Sequence, residues 1–249
     1  APFTVPLLKH PESNIINQKG MNFIHSGPES LRLGIVYAEQ VRPEGASPHL
    51  SDLIEIRLSS LSNGLSQEQD TFRMQVRDIF RNGKFKPTGR AKPASEYLLR
   101  AASELRFPRI NLLVDCCNYL SIASLLPISI WDIDRSKSSS FNFRLGFPEE
   151  EFVFNEAGHV ISLHDLIVGC AVGDEDSGVP IVNAVKDSMA TKTTDSTTHV
   201  VAAIYAPLND GPDLSLREVC EGFADIFNST TREASSNWMI LMAGESGRF

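Results

Sequence analysis

Apolar positions along the chain recur at two spacings. Leu31, Leu33 and Ile35 alternate ahead of Val36, and Leu53, Ile54, Ile56 and Leu58 form a second short apolar run; both read as strands of a small sheet near the N-terminus. Farther along, the period lengthens. Phe72, Val76, Ile79 and Phe80 make one helical stripe after an acidic start at Glu68 and Asp70, with Gly83 placed to end it. Tyr97, Leu98, Ala101, Ala102 and Leu105 follow Pro93 as another stripe, and Ile110, Leu113, Val114, Cys117 and Leu120 form the next. Pro127 then resets the chain, since its ring removes an amide donor and clashes with a continuing helix. Ile128, Ile130, Trp131 and Ile133 read as a mostly buried strand. Near the C-terminus Leu216, Val219, Phe223, Ile226 and Phe227 predict a well-spaced helix, and residues 238–242 a short apolar segment able to close the sheet. The order is that of an α+β fold, a mixed or antiparallel sheet packed with helices. We expect one domain over residues 1–249, with the N-terminal strands and the C-terminal helix completing it.

Composition agrees with a globular chain. At 249 residues, 42% apolar and 22% charged, it has enough apolar surface for a sizeable core of its own. No apolar run approaches the ~20 residues of a membrane span, and the N-terminus lacks a charged-then-apolar signal pattern. A cytoplasmic protein without a membrane partner is the expectation; the first residue is Ala1 rather than Met, which leaves a removed leader open. Cys116, Cys117, Cys170 and Cys220 show no metal-type spacing, and His159 and His164 match no zinc helix motif. The acidic run Asp174, Glu175, Asp176 lacks the calcium-loop pattern and reads as a solvated turn. No glycine-rich nucleotide loop is present either, so neither metal nor cofactor is expected.

The stretch from Pro108 to Asp134 carries the most specific signal. Arg109, Ile110 and Asn111 lead into Val114, Asp115, Asn118 and Tyr119, followed by Pro127, Trp131, Asp132 and Asp134. This order resembles the B3/B4 domain, the editing domain of the phenylalanyl-tRNA synthetase beta chain, in which Arg-Pro-Ile-Asn precedes Val-Asp-x-x-Asn-Tyr on a helix, then Pro and Phe-Asp-Leu-Asp on a strand. Weaker similarity continues through residues 160–173 and 193–200, so that the recognisable portion runs from about residue 85 to Pro207. In the family, a His two residues after the Pro, a Glu on a later strand and a glycine-rich turn shape a pocket that hydrolyses misattached tyrosine. Here Ser129 stands at the His position, Val201, Ala202 and Ala203 cover the Glu position, and residues 183–187 replace the glycines. Small apolar residues cannot accept a hydrogen bond from a tyrosine hydroxyl, so a preference for tyrosyl ester is not expected.

The resemblance implies a free-standing relative of the editing domain acting on misacylated aminoacyl-tRNA at the tRNA 3′ end; a chain of this length that spends half of itself on such a domain has little room for a synthetase module. Ester cleavage needs a positioned water and donors for the developing oxyanion, not a side-chain nucleophile. On that reading Asp187 and Ser129 are the catalytic candidates. Asn118, Pro127, Asp132, Asn183, Lys186, Lys192, Thr193 and Thr197 are the candidates for substrate contact, and Asn118 and Asp132 are expected to share one pocket. Residues 84–92 place Lys84, Lys86, Arg90 and Lys92 around Pro87 and Gly89 just ahead of a helix. Lys86, Arg90 and Lys92 are candidates for RNA phosphates, although a solvated connector has the same composition. The formal net charge of -8 argues for a small footprint confined to the acceptor end. The alternative is a non-catalytic module on the same fold that binds RNA or an amino-acid-like small molecule.

Overall fold

A computed structural model describes residues 20–44, 48–173 and 178–249. Its order is β1 (Asn22–His25), β2 (Arg32–Glu39), α1 (Pro48–Leu61), α2 (Gln67–Asp78), α3 (Ala94–Ser103), α4 (Leu112–Ser124), β3 (Ile128–Asp132), α5 (Ile133–Ser136), β4 (Ser140–Leu145), β5 (Glu151–Val153), β6 (Val160–Ser162), β7 (Ile167–Ala171), β8 (Val179–Asn183), β9 (Val200–Ala206), α6 (Leu216–Asn228), β10 (Ser235–Leu241) and β11 (Ser246–Arg248). The architecture is α+β. A five-stranded mixed sheet runs β11-β1-β4-β7-β8, a four-stranded antiparallel sheet runs β10-β2-β9-β3, and β5 and β6 pair as a separate hairpin.

Side-chain alternation explains how the layers meet. Phe23, Phe141 and Phe143 lie on one face of the five-stranded sheet, and Trp131, Tyr205 and Tyr37 on the facing side of the four-stranded one. Trp131 packs on Phe141 with ring centroids 5.3 Å apart, and Phe143 on Tyr205 at 6.2 Å, so that aromatic rings fill the space between the sheets. The opposite face of the four-stranded sheet takes helices. Gly34 of β2 is needed there, because a Cβ would come within 2.7 Å of Cys220 Sγ and 2.9 Å of Leu216 Cδ1 on α6. The α6 stripe of Leu216, Val219, Phe223 and Phe227 is accordingly buried. Its start is fixed by a capping box in which Ser215 and Glu218 satisfy each other's backbone amides.

Several expectations need correction. Residues 53–58 are not a strand but the middle of α1. Leu50, Ile54 and Leu61 are the buried positions while Ile56 is 67% exposed, which is helical spacing; the shorter window hid it. Leu105 does not extend the α3 stripe, since the helix ends at Ser103 and Leu105 is 94% exposed with a left-handed φ of 55°. Ile110 precedes α4, whose N-cap is Asn111 with its side chain accepting from the Val114 amide. Ile133 is the first residue of α5 rather than the end of β3, because Asp132 caps that turn through the Arg135 amide at 3.0 Å. The N-terminal nineteen residues and the acidic run at 174–176 lie outside the described residues. Among those described, no helix is long and apolar enough to cross a membrane.

Candidate functional site

The sequence candidates fall into three places. The first is a buried polar cluster where the edge strands β3 and β8 come together. The Ser129 hydroxyl on β3 donates to the backbone carbonyl of Asn183 at 3.0 Å and lies 3.3 Å from the Tyr205 hydroxyl on β9. Asn183 is the last residue of β8, and its side-chain oxygen accepts from the amides of Val185 at 2.7 Å and Lys186 at 2.9 Å. That side chain holds the following turn in shape, as Asn does where it substitutes for a backbone acceptor. The turn is pinned from outside as well, by the Ala94 amide donating to the Ala184 carbonyl at 2.8 Å.

The same turn directs Asp187 inward. Its Oδ2 accepts from the Ile130 amide at 3.3 Å, whereas Oδ1 is buried without a hydrogen bond, as is the Asn183 amide nitrogen. Burial therefore dominates. It pushes the Asp187 carboxyl up to about 7, against the opposing pull of the Ser129 hydroxyl and the amides of Ile130 and Asn183. Burial likewise raises the Tyr205 phenol and the Cys117 thiol, with the Asp187 charge adding to both. Tyr205 was not foreseen from the sequence. It sits in an unbroken apolar strand, and only the register that sets Ser129 opposite Ala203 and leaves Tyr205 on the same face reveals it.

The second place is a clip between β3 and the loop before β9. The Thr197 hydroxyl donates to Asp132 Oδ2 at 2.6 Å, and itself accepts from the Thr194 amide at 2.8 Å. Thr193 is buried beside it, while Lys192 points outward at the end of a 3₁₀ turn, Met189–Thr191. Pro127 is buried between α4 and β3, and its carbonyl accepts from the Tyr205 amide at 3.1 Å. Asn118 is half-buried on α4; among the described residues no hydrogen bond joins it to Asp132, whose oxygens are taken by Arg135 and Thr197. Asp115, one turn earlier at the start of the same helix, accepts from the Ile110 amide at 2.7 Å and pairs with Arg109 at 3.2 Å.

The third place is a cleft of about 890 Å³. Lys84, Lys86 and Arg90 line it from the basic loop, Lys186 from the 183–187 turn, and Phe154 and His159 from the β5–β6 hairpin, with no carboxylate in the lining. Lys92 is not among the lining residues. The Lys186 ammonium sits 3.7 Å above the Phe154 ring. Its pKa is lowered, first by burial and then by the Arg90 guanidinium. Asp165 flanks the cleft but is engaged with the Lys84 amide at 2.7 Å. The turn thus has two sides, Asp187 facing the interior and Lys186 the cleft.

No curated protein is matched by the sequence. Among solved structures, the chain is similar to an N-terminal fragment of the phenylalanyl-tRNA synthetase beta-subunit from Pyrococcus horikoshii, at 10% identity and a TM-score of 0.41. The match covers 91% of this chain and 52% of that one, so the chain spans about half the length of the fragment. The B3/4 domain matches residues 85–209, from the basic loop through β9, and takes in the residues of the three places described above except Lys84. The chain belongs to the B3/4 domain family.

Proposed function

We propose that this protein binds the 3′ acceptor end of an aminoacyl-tRNA, with the phosphates held in the cleft by Lys84, Lys86, Arg90 and Lys186. One observation carries this reading. Lys84, Lys86, Arg90 and Lys186 line one cleft that has no carboxylate in its lining. Like charges gathered in this way disfavour the empty protein and favour an anion between them. A chain with a formal net charge of -8 that still concentrates cations here has a small, localised basic footprint, which matches an acceptor end rather than a long duplex.

Hydrolysis of a misattached amino acid is a second reading, and Asp187 favours it. A carboxyl with a pKa of about 7, one of whose own oxygens makes no hydrogen bond, has the proton affinity of a general base at neutral pH. In that step water adds to the ester carbonyl, Asp187 takes the water proton, and as the acyl–oxygen bond breaks Asp187 returns that proton to the leaving ribose 3′ oxygen. Ser129 is then a positioning residue rather than a nucleophile, since it is 1% exposed and its hydroxyl is committed to Asn183. The raised pKa depends on burial, so on this reading Asp187 acts from inside the fold, next to the cleft that Lys186 lines.

The test is a panel of charged and uncharged tRNAs, read for both binding and deacylation. Salt-sensitive binding to any member supports the first reading; deacylation lost in Asp187→Asn with binding retained supports the second. Absence of binding across the panel at low salt overturns both.

A further inference from the structure

The β5–β6 hairpin presents an aromatic face at the cleft, an arrangement that phosphate binding alone does not use. Its turn follows Phe154, with the Gly158 amide donating to the Asn155 carbonyl at 3.0 Å and Gly158 at a left-handed φ of 76°. Phe154 and His159 flank this turn and their rings stack, with centroids 6.1 Å apart and planes 26° from parallel. Asn155 fixes the imidazole: its side-chain oxygen accepts from the His159 amide at 3.0 Å, and its side-chain nitrogen lies 2.9 Å from His159 Nδ1. Phe154 thus carries both the Lys186 ammonium and the exposed imidazole of His159 against its ring. A two-stranded hairpin gains from one such aromatic pair whatever its purpose. It does not require an exposed ring oriented by a dedicated side chain, beside a cleft lined by Lys84, Lys86 and Arg90.

Resting on the acceptor-end reading above, we infer that His159, backed by Phe154 and oriented by Asn155, is a stacking platform for an unpaired nucleobase of a single-stranded 3′ end. Stacking uses the flat face that every base possesses and is indifferent to sequence, while the neighbouring cations take the phosphates. A paired base in a duplex does not expose that face, so the platform selects single strands.

Fluorescence anisotropy with three labelled probes tests this: a single-stranded RNA ending in CCA, a strand of equal length and charge with abasic sites at its last three positions, and a blunt RNA hairpin. The RNA strand is expected to bind about tenfold more tightly than the abasic strand. His159→Ala should remove most of that difference while leaving abasic binding unchanged, and His159→Trp should restore it. Because His159 is exposed, its replacement leaves the fold intact; Phe154→Ala, checked by circular dichroism, is the second variant, with the same direction expected. Equal binding of the RNA and abasic strands, or an equal loss for both in His159→Ala, overturns the platform while leaving the phosphate cleft standing. Failure of every probe to bind with salt-dependent affinity overturns the acceptor-end reading, and the platform with it.

Discussion

The hydroxyls of Ser129 and Tyr205 lie 3.3 Å apart between the two sheets, and Ser129 also donates to the carbonyl that ends β8. Through this one side chain the edge strand β3 is tied both to its own sheet and to the turn that carries Asp187 and Lys186. The contact is buried, so its loss leaves polar atoms unpaired rather than rehydrated. Ser129→Ala should destabilise the fold by roughly 1–3 kcal/mol, and Tyr205→Phe by less, since it leaves the Asn183 carbonyl satisfied. A double-mutant cycle by urea denaturation checks this; strict additivity of the two changes would show that the hydroxyls do not interact.

Asp187 sets a pH dependence with a definite sign. Its carboxyl rises from an ordinary 3.8 to about 7 on folding, so across that interval the native state retains a proton that the unfolded chain has released. The Asp187 contribution to stability is therefore fullest below 3.8 and is lost as pH rises towards 7. Asp187→Asn removes this dependence and should stabilise the protein at about pH 8 by up to a few kcal/mol, at about 1.4 kcal/mol per pKa unit. Thermal melts of both proteins from acid to mild alkali measure it. A variant less stable than the parent throughout would mean that the buried carboxylate is held by interactions stronger than its burial cost.

The Asp132–Thr197 clip predicts a separation of roles. Thr197→Val removes the hydrogen bond to Asp132 and the acceptor for the Thr194 amide, and should cost roughly 1–3 kcal/mol of stability. Affinity for an acceptor-end RNA should be unchanged in the folded variant. A selective loss of affinity would move the clip into the binding site.

Much of this arrangement was legible in the sequence, for local reasons. The acidic start at Glu68 and Asp70 and the stripe through Phe72 and Val76 read directly as α2, and Pro127 separates α4 from the strand after it. Asn183, Lys186 and Asp187 stood out because polar residues replace glycines in a segment otherwise similar to the family, and the structure brings Ser129 to Asn183 and Asp187. What escaped was set by distant pairing. Tyr205 reads as one more apolar strand residue until register places it opposite Leu33 and on the face shared with Ser129. Phe154 and His159 belong to a short hairpin whose residues are mostly exposed, so no hydrophobic period announces them. The error over residues 53–58 was instead local, a window too short to include Leu50 and Leu61 of the same helix.

The aromatic packing between the sheets draws on β1 and on Phe249, just after β11, from outside the matched family portion, and on β3, β4 and β9 from within it. We propose that these segments form a single cooperative unit. Urea unfolding followed by Trp131 fluorescence and by far-ultraviolet circular dichroism, with Trp238 replaced by Phe, should give coincident transitions. Two separated transitions would divide the chain into independently folding parts.

The central claim is that Arg90 and Lys186 hold phosphates of an acceptor end. Its most direct test is the salt dependence of binding to a labelled single-stranded RNA carrying the tRNA 3′ sequence. For the parent protein the logarithm of affinity should fall linearly with the logarithm of salt, by about 0.7 per phosphate contact. Replacing both Arg90 and Lys186 by Ala should flatten that slope by about 1.4, while Lys192→Ala, which lies outside the cleft lining, should keep the parent slope. A parent slope near zero, or a double variant that retains it, would contradict the account.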